Sequence, residues 1–270
     1  MSILSDFHIH TSFSGDSTEI PENVVKTAIE KGLKSICFTD HQDFDYIFDK
    51  DLNFDLDYEA YYHHISCLKE DYKDKIKILI GVEVGVEPYL SEKLLDFTNK
   101  KPYDFIIGSS HIVNRKDPYY PEYFKGRSDK EAFEEYFISV VENLKAYSNF
   151  DVYGHLDYVV RYSENKDKNY SYTAFADYID EILKRLISMG KGIEVNSASY
   201  RYGLKNPNPI PEAVKRYKEL GGEIITIGSD AHKCKDVACD FDRIQAVLQQ
   251  AGFKYYTVFE NRKPQFVPID

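Results

Sequence analysis

Short apolar runs of strand length recur along the chain, and stretches with helical spacing of apolar residues lie between them. The strand-like runs are Leu4–His8, Ser35–Thr39, Ile76–Val84, Asp104–Gly108, Val152–Gly154, Gly192–Val195 and Glu223–Ile227. The helical stretches are Pro21–Lys31, Asp57–Tyr72, Tyr89–Asn99, Ser128–Tyr147, Thr173–Met189, Pro209–Leu220 and Asp240–Gln250. Pro21 stands in a first turn, and Gly32, Gly190 and Gly221 follow helices, as start and stop signals do. Seven strand–helix alternations predict parallel strands joined by right-handed crossovers, in a closed or nearly closed α/β barrel. Tyr255–Phe259 is read as an edge strand or a segment packed outside. With no repeat, linker or low-complexity stretch, residues 1–270 read as one domain. The long loops Asn114–Arg127 and Tyr162–Asn169 follow strands, which places them on the rim where barrel active sites lie.

The ends of these strands carry the chemistry. The first ends in His8-Ile9-His10 with Asp16 close behind, the second in Thr39-Asp40-His41, and the third in Gly81-Val82-Glu83. The fourth ends in Ser109-Ser110-His111, the fifth in Gly154-His155, the sixth in Glu194-Val195-Asn196 and the seventh in Gly228-Ser229-Asp230-Ala231-His232. Alternate residues of a strand share a face, so His8 and His10 can close on one ion. Six of the 8 histidines fall at such ends, and a barrel brings all of them to one face. Imidazole and carboxylate together suit Zn, Mn or Fe(II) better than Mg.

The remaining composition narrows the picture. A net charge of −11 argues against a protein that covers nucleic acid by charge. Cys37, Cys67, Cys234 and Cys239 form neither a zinc motif nor a disulfide framework, which points to a reducing, cytoplasmic setting. No apolar run has the length of a membrane span. His63 and His64 read as helix-surface residues. The acidic stretch Asp43, Asp45, Asp49, Asp51, Asp55 and Asp57 reads as a solvated loop, since it lacks the glycine and terminal glutamate of an EF-hand.

HxH, TDH, GxE, SxH, GH and GSDAH in this order, from His8 to His232, resemble the PHP family, which is named for its polymerase-associated and histidinol-phosphatase members. Its monofunctional histidinol-phosphate phosphatases are the members most resembled. The resemblance implies a distorted (β/α)7 TIM-like barrel with a metal site at the C-terminal strand ends. It also implies three divalent ions. His8, His10, Glu83 and Asp230 would hold the first; Glu83 would bridge to a second completed by His111 and His155; Asp16, His41 and His232 would hold the third.

A carboxylate bridging two ions suits a hydrolase that activates water for in-line attack on a phosphoryl group. Glu83, Asp230 and His232 are the catalytic candidates with Asp40, a candidate acid for the leaving group. A phosphate dianion calls for a guanidinium; Arg161 is the first candidate, followed by Arg201 and Arg115, with Asn196 able to orient phosphate or a ligand. Glu194 reads equally as a support of the ligands or a paired interior charge. Tyr119, Tyr120 and Tyr123 could stack on an imidazole. The expected activity is hydrolysis of L-histidinol phosphate, a small-molecule partner; oligomeric state is left open. Alternatives are another small phosphomonoester, a cyclic phosphodiester or a nucleic-acid end. An amidohydrolase-type barrel is disfavoured because Ser109-Ser110-His111 stands where a modified lysine would bridge the metals, and a non-catalytic sensor because no ligand is missing.

Overall fold

The computed structural model describes residues 3–269. Its strands are β1 Ser5–Ile9, β2 Ser35–Phe38, β3 His41–Gln42, β4 Lys77–Gly85, β5 Phe105–Ser109, β6 Val152–Tyr153, β7 Gly192–Asn196, β8 Ile225–Gly228, β9 Tyr255–Glu260 and β10 Lys263–Pro268. The helices are α1 Pro21–Glu30, α2 Tyr58–Asp71, α3 Ser91–Asn99, α4 Asp129–Ala146, α5 Ala176–Ser188, α6 Ala198–Arg201, α7 Pro211–Glu219 and α8 Phe241–Gln250. The parallel sheet runs β1-β2-β4-β5-β6-β7-β8, with the short β3 continuing β2 along β4. This is the expected seven-stranded barrel, and the element boundaries move by only a few residues.

Closure is local. β1 and β8 meet through the Ile9–Ala231 bridge, with Asp230 N donating to His8 O at 2.8 Å and His10 N to Ala231 O at 2.9 Å. Lower down, the Asp6 carboxylate spans the seam, accepting from Ser229 N at 3.0 Å and Ser229 Oγ at 2.5 Å. The barrel is thus stitched most firmly at the end that carries the histidines.

Tyr255–Phe259 does more than lie on an edge. It pairs antiparallel with β10, and the hairpin caps the opposite end: Thr257 accepts from Ile225 N, and Arg262 N donates to Asp104 O. Phe259 enters the barrel to join Phe7, Cys37, Leu79, Phe105, Ile107 and Val152. Its ring lies 5.1 Å from that of Phe105, which meets Phe7 edge-on at 5.3 Å. An apolar plug therefore fills the lower barrel and leaves the upper end for polar side chains.

Deleting the plug's ring leaves a cavity as well as a lost transfer term. Phe259→Ala should therefore lower unfolding free energy by about 3–5 kcal/mol, read from urea denaturation, with metal content unchanged; a loss below about 1 kcal/mol would mean that the hairpin is not part of the core.

Candidate metal centre

The histidines of β1 reach the site through an irregularity. From Asp6 to Ile9 the chain takes three steps while its partner β2 takes two, from Ile36 to Phe38. Such a bulge re-aims side chains. Phe7 joins the barrel plug and Ile9 the layer under the helices, while His8 and His10 still face the upper barrel.

Glu83, at the end of β4, is fully buried at the centre of the cluster. Its Oε1 lies 2.9 Å from His155 Nε2 and 3.3 Å from His111 Nε2. Its Oε2 lies 3.1 Å from His8 Nε2, 3.5 Å from His10 Nε2 and 3.1 Å from His41 Nδ1. Asp230 Oδ1 is 3.4 Å from His10 Nε2 and 3.7 Å from His8 Nε2. Asp16 Oδ2 is 3.1 Å from His232 Nε2 and 3.7 Å from His41 Nε2. All nine sequence-derived metal candidates therefore meet at one end of the barrel. His41 stands between groups, with Nδ1 toward Glu83 and Nε2 toward Asp16.

A second layer sets the ring orientations. His8 Nδ1 meets Glu194 Oε1 at 2.6 Å, His111 Nδ1 meets Asp43 Oδ1 at 2.7 Å, and His232 Nδ1 meets Asp230 O at 3.0 Å. His10 Nδ1 meets Ser14 Oγ at 3.2 Å, and Ser14 donates to Asp40 at 2.7 Å. Holding one ring nitrogen fixes the tautomer and aims the other inward, as metal-ligating histidines require. Glycines make room for these carboxylates: a Cβ on Gly85 would strike Asp43, and one on Gly228 would strike Glu194 and His8. Two residues of the cluster have backbone in the left-handed region, His155 at φ 21° and Asp230 at φ 53°, conformations retained mainly where surroundings over-determine them.

The electrostatics fit a metal. His8 Nε2, His10 Nε2, His41 Nδ1 and Glu83 Oε2 are buried with no hydrogen-bond partner in the protein. Unpartnered buried polar atoms are costly, and here they converge. Carboxylates Asp16, Asp43, Glu83, Glu194 and Asp230 crowd the cluster, and among the described residues Arg161, on Asp230, is the one guanidinium paired with any of them. Burial opposes charge on His111, yet Asp43 and Glu83 bring its pKa up to about 10, and Asp43 is held down to about 2 despite burial. Burial and the flanking His41 and His232, whose rings stack on it at 4.1 and 4.2 Å, push His10 well below the ordinary range. Among the described residues, four groups of three potential ligands have their donor atoms within 4.8 Å of one another: His10/His41/His232, His8/His10/Asp230, His8/Glu83/His155 and His41/Glu83/His111.

Above the cluster lies a cavity of about 540 Å³, whose walls include Asp16, His41, His111, His155, Asp230 and His232. Arg161 and Arg201 also line it. Arg161 is not a free rim charge: it is 2% exposed and donates to Asn208, Asp230 and Asn196. Arg201 donates to the carbonyls of Ser229 and Asp230.

Several expectations need correction. Arg115 lies outside the cavity, donating to Tyr89 Oη and packing on that ring at 4.9 Å. Asp40 does not face the cavity; its oxygens are taken by Thr11 N, Thr11 Oγ1 and Ser14 Oγ, so it has no free path to a leaving group. Of the two roles expected of Asn196, contact with phosphate does not fit its place: it is fully buried off the cavity lining and shared among Arg161, Glu194 and Asp230. Tyr119 and Tyr120 line the cavity, but Tyr123 is buried and donates to Ala132 O. Asp43 is no solvated loop residue; its spacing of two from His41 on β3 is the signal that could have found it. His64 pairs with Glu22 on the helical surface, away from the cluster.

The PHP domain family model matches residues 6–198. The chain is 32% identical over 259 residues to the histidinol-phosphatase of Lactococcus lactis subsp. lactis, covering 96% of this chain and 95% of that protein. It is 31% identical over 249 residues to a Clostridium acetobutylicum protein named "Probable histidinol-phosphatase", covering 92% of this chain and 94% of the relative. The crystal structure of the Lactococcus histidinol phosphate phosphatase, complexed with Zn, L-histidinol and phosphate, superposes with TM-score 0.89 at 31% identity, over 97% of this chain and 99% of that one.

The second layer yields a test independent of substrate. Asp43→Asn should weaken the tightest-coupled metal about 10- to 100-fold, the usual cost of losing such a partner, in competition with a chromophoric chelator. Unchanged affinity in a folded variant would show that Asp43 does not act through His111.

Proposed function

The chain belongs to the PHP domain family, and on that premise we propose that it is a metal-dependent phosphomonoesterase hydrolysing L-histidinol phosphate to L-histidinol and phosphate. The observation that carries this reading is the convergence of five histidines on a buried Glu83 at one barrel end, with the sixth, His232, on Asp16 beside them, in a chain that covers 95% and 94% of two histidinol-phosphatase relatives. One domain over residues 1–270 is enough for it. Unpaired cysteines at 37, 67, 234 and 239 accord with a reducing cytoplasm. Among the described residues, no helix is long and apolar enough to cross a membrane.

Three divalent ions are proposed: one at His8, His10, Glu83 and Asp230, one at Glu83, His111 and His155, and one at Asp16, His41 and His232. Zinc is favoured because the Lactococcus relative holds it, and the mixed imidazole–carboxylate set also suits Mn or Fe(II). Such ions supply charge neutralisation for phosphoryl oxygens and activate water for in-line attack. The protein's own residues do the placing. Glu83 offers one oxygen to each side of the cluster, which keeps the ligand groups in register. Asp230, pinned through Oδ2 by Arg161, turns Oδ1 inward. His232, the most exposed of the six clustered histidines, borders the cavity that Arg161 also lines, and the unused N–H bonds of Arg161 are the donors best placed for a phosphoryl oxygen.

The cations of the cavity wall lie on one side. Arg161, Arg201, Lys233 and Lys235 come from the segments after β6, β7 and β8, alongside Tyr158, Tyr162, Tyr202 and Asp236. Tyr46, Asp49, Asp117, Tyr119 and Tyr120 come from the segments after β3 and β5, which add no lysine or arginine to the lining. Burial raises the Asp117 carboxyl to about 6, and its Oδ2 accepts from Tyr46 Oη at 3.2 Å. A substrate with phosphate at one end and a cationic, aromatic group at the other matches both walls.

Phosphate release should be measured across L-histidinol phosphate, simple alkyl phosphates, a cyclic phosphodiester and single-stranded oligonucleotides. The expected result is kcat/KM for L-histidinol phosphate about a hundredfold above the rest; low, uniform rates would overturn the substrate assignment. Tyr120→Ala should raise KM about tenfold for the imidazole substrate and far less for an alkyl phosphate, by loss of a ring contact. Equal effects on both would remove Tyr120 from recognition. Chelator treatment should abolish activity, and added Zn or Mn should restore it; full activity in the chelated, metal-free protein would reject metal dependence.

A further inference from the structure

Behind Arg161 lies a chain of buried polar groups outside the metal centre. The guanidinium is enclosed, with the rings of Tyr158 and Tyr202 at 5.5 and 5.4 Å. Nε donates to Asn208 Oδ1 at 2.7 Å, Nη1 to Asp230 Oδ2 at 2.8 Å and Nη2 to Asn196 Oδ1 at 2.9 Å. Three of the five donors of an arginine are thereby committed, and two are left for the cavity that Arg161 lines.

This arrangement requires Asn208 to present its oxygen to Arg161. An amide has an acceptor on one side and donors on the other, so its orientation must be set from the far side. Asp157 sits there. Asn208 Nδ2 donates to Asp157 Oδ1 at 2.5 Å, and Asp157 Oδ2 accepts from Ile210 N at 3.1 Å. Both carboxylate oxygens face donors. Asn208 is also tied to β7, exchanging backbone hydrogen bonds with Asn196 at 2.7 and 3.0 Å.

We propose that Asp157 is a positioning residue for phosphate-ester hydrolysis: it orients Asn208, which fixes Arg161, which holds the Asp230 carboxylate and aims its free N–H bonds at the phosphoryl site. Asp157 touches neither substrate nor metal, and it acts through two intermediates. The inference rests on the phosphatase reading but not on which ester is hydrolysed.

The test exploits the donor–acceptor order. Asp157→Asn places an NH₂ group against a donor whichever way it turns, at Asn208 or at Ile210. Asn208→Asp sets a carboxylate against that of Asp157. Both substitutions together restore a donor facing an acceptor at each contact and keep the total charge. Three quantities are read on the metal-loaded protein: the competitive inhibition constant of inorganic phosphate, the Zn dissociation constant by chelator competition, and the thermal midpoint. Each single substitution should raise the phosphate constant and the Zn constant about tenfold, as loss of a ligand-supporting partner does, and the exchanged pair should recover both to within about threefold. Singles that lower only the thermal midpoint, or an exchanged pair that recovers the midpoint without phosphate affinity, would overturn the proposal. If Asn208→Asp does not fold, Asn208→Ala breaks the same link without burying a second charge and carries the same expectations. Loss of L-histidinol phosphate selectivity in the unmodified protein would sink the substrate assignment and leave these readouts unaffected.

Discussion

A carboxylate with no access to water, surrounded by five imidazoles, is the constraint on which the rest of the molecule depends. Glu83 uses Oε1 toward His111 and His155 and Oε2 toward His8, His10 and His41. Those rings come from β1, the β2–β3 segment, β5 and β6, so placing one side chain fixes the relative heights of several strand ends. A barrel whose parallel strands all end at one level does this. The seam between β1 and β8 is hydrogen-bonded at that level, while the far end is filled by an apolar plug and capped by a hairpin. Stability is supplied below and chemistry is held above.

The cost of such a cluster lies in its support. Each buried imidazole must expose one nitrogen inward, and an unassisted ring can rotate. The protein meets this with carboxylates and hydroxyls one layer out: Glu194 for His8, Asp43 for His111, and Ser14 with Asp40 for His10. These groups add negative charge to a site already rich in it. An acidic excess is tolerable in a dry interior only if cations offset it, which makes the second layer and the metals mutually dependent.

Much of this was legible in the sequence because it is periodic or terminal. Parallel α/β order followed from seven alternations, and the ligand types from what stands at strand ends. The failures share a different cause. Asp40 looked catalytic from its place in Thr39-Asp40-His41, but contacts with Thr11 and Ser14, 26 to 29 residues earlier, turn it away from the cavity. Asp43 was hidden among acidic neighbours, although only it folds back onto His111. Arg115 was misplaced because loop length does not say which way a loop turns. The β1 bulge was invisible as well: alternation alone cannot place Phe7 and His8 both toward the interior, and one inserted step does so.

The left-handed backbone at His155 and Asp230 belongs to the same logic. Both residues end strands where the chain must turn sharply while its side chain still points inward, and a relaxed conformation would carry the ligand away. Asp230 is held by β1 through its amide and by Arg161 through its carboxylate, and His155 has its amide on Glu194. The hydrogen bonds that over-determine these two conformations come from the residues that orient the other ligands. Relief of strain at one strand end would therefore disturb rings on its neighbours, so the centre should lose its geometry cooperatively and not ligand by ligand.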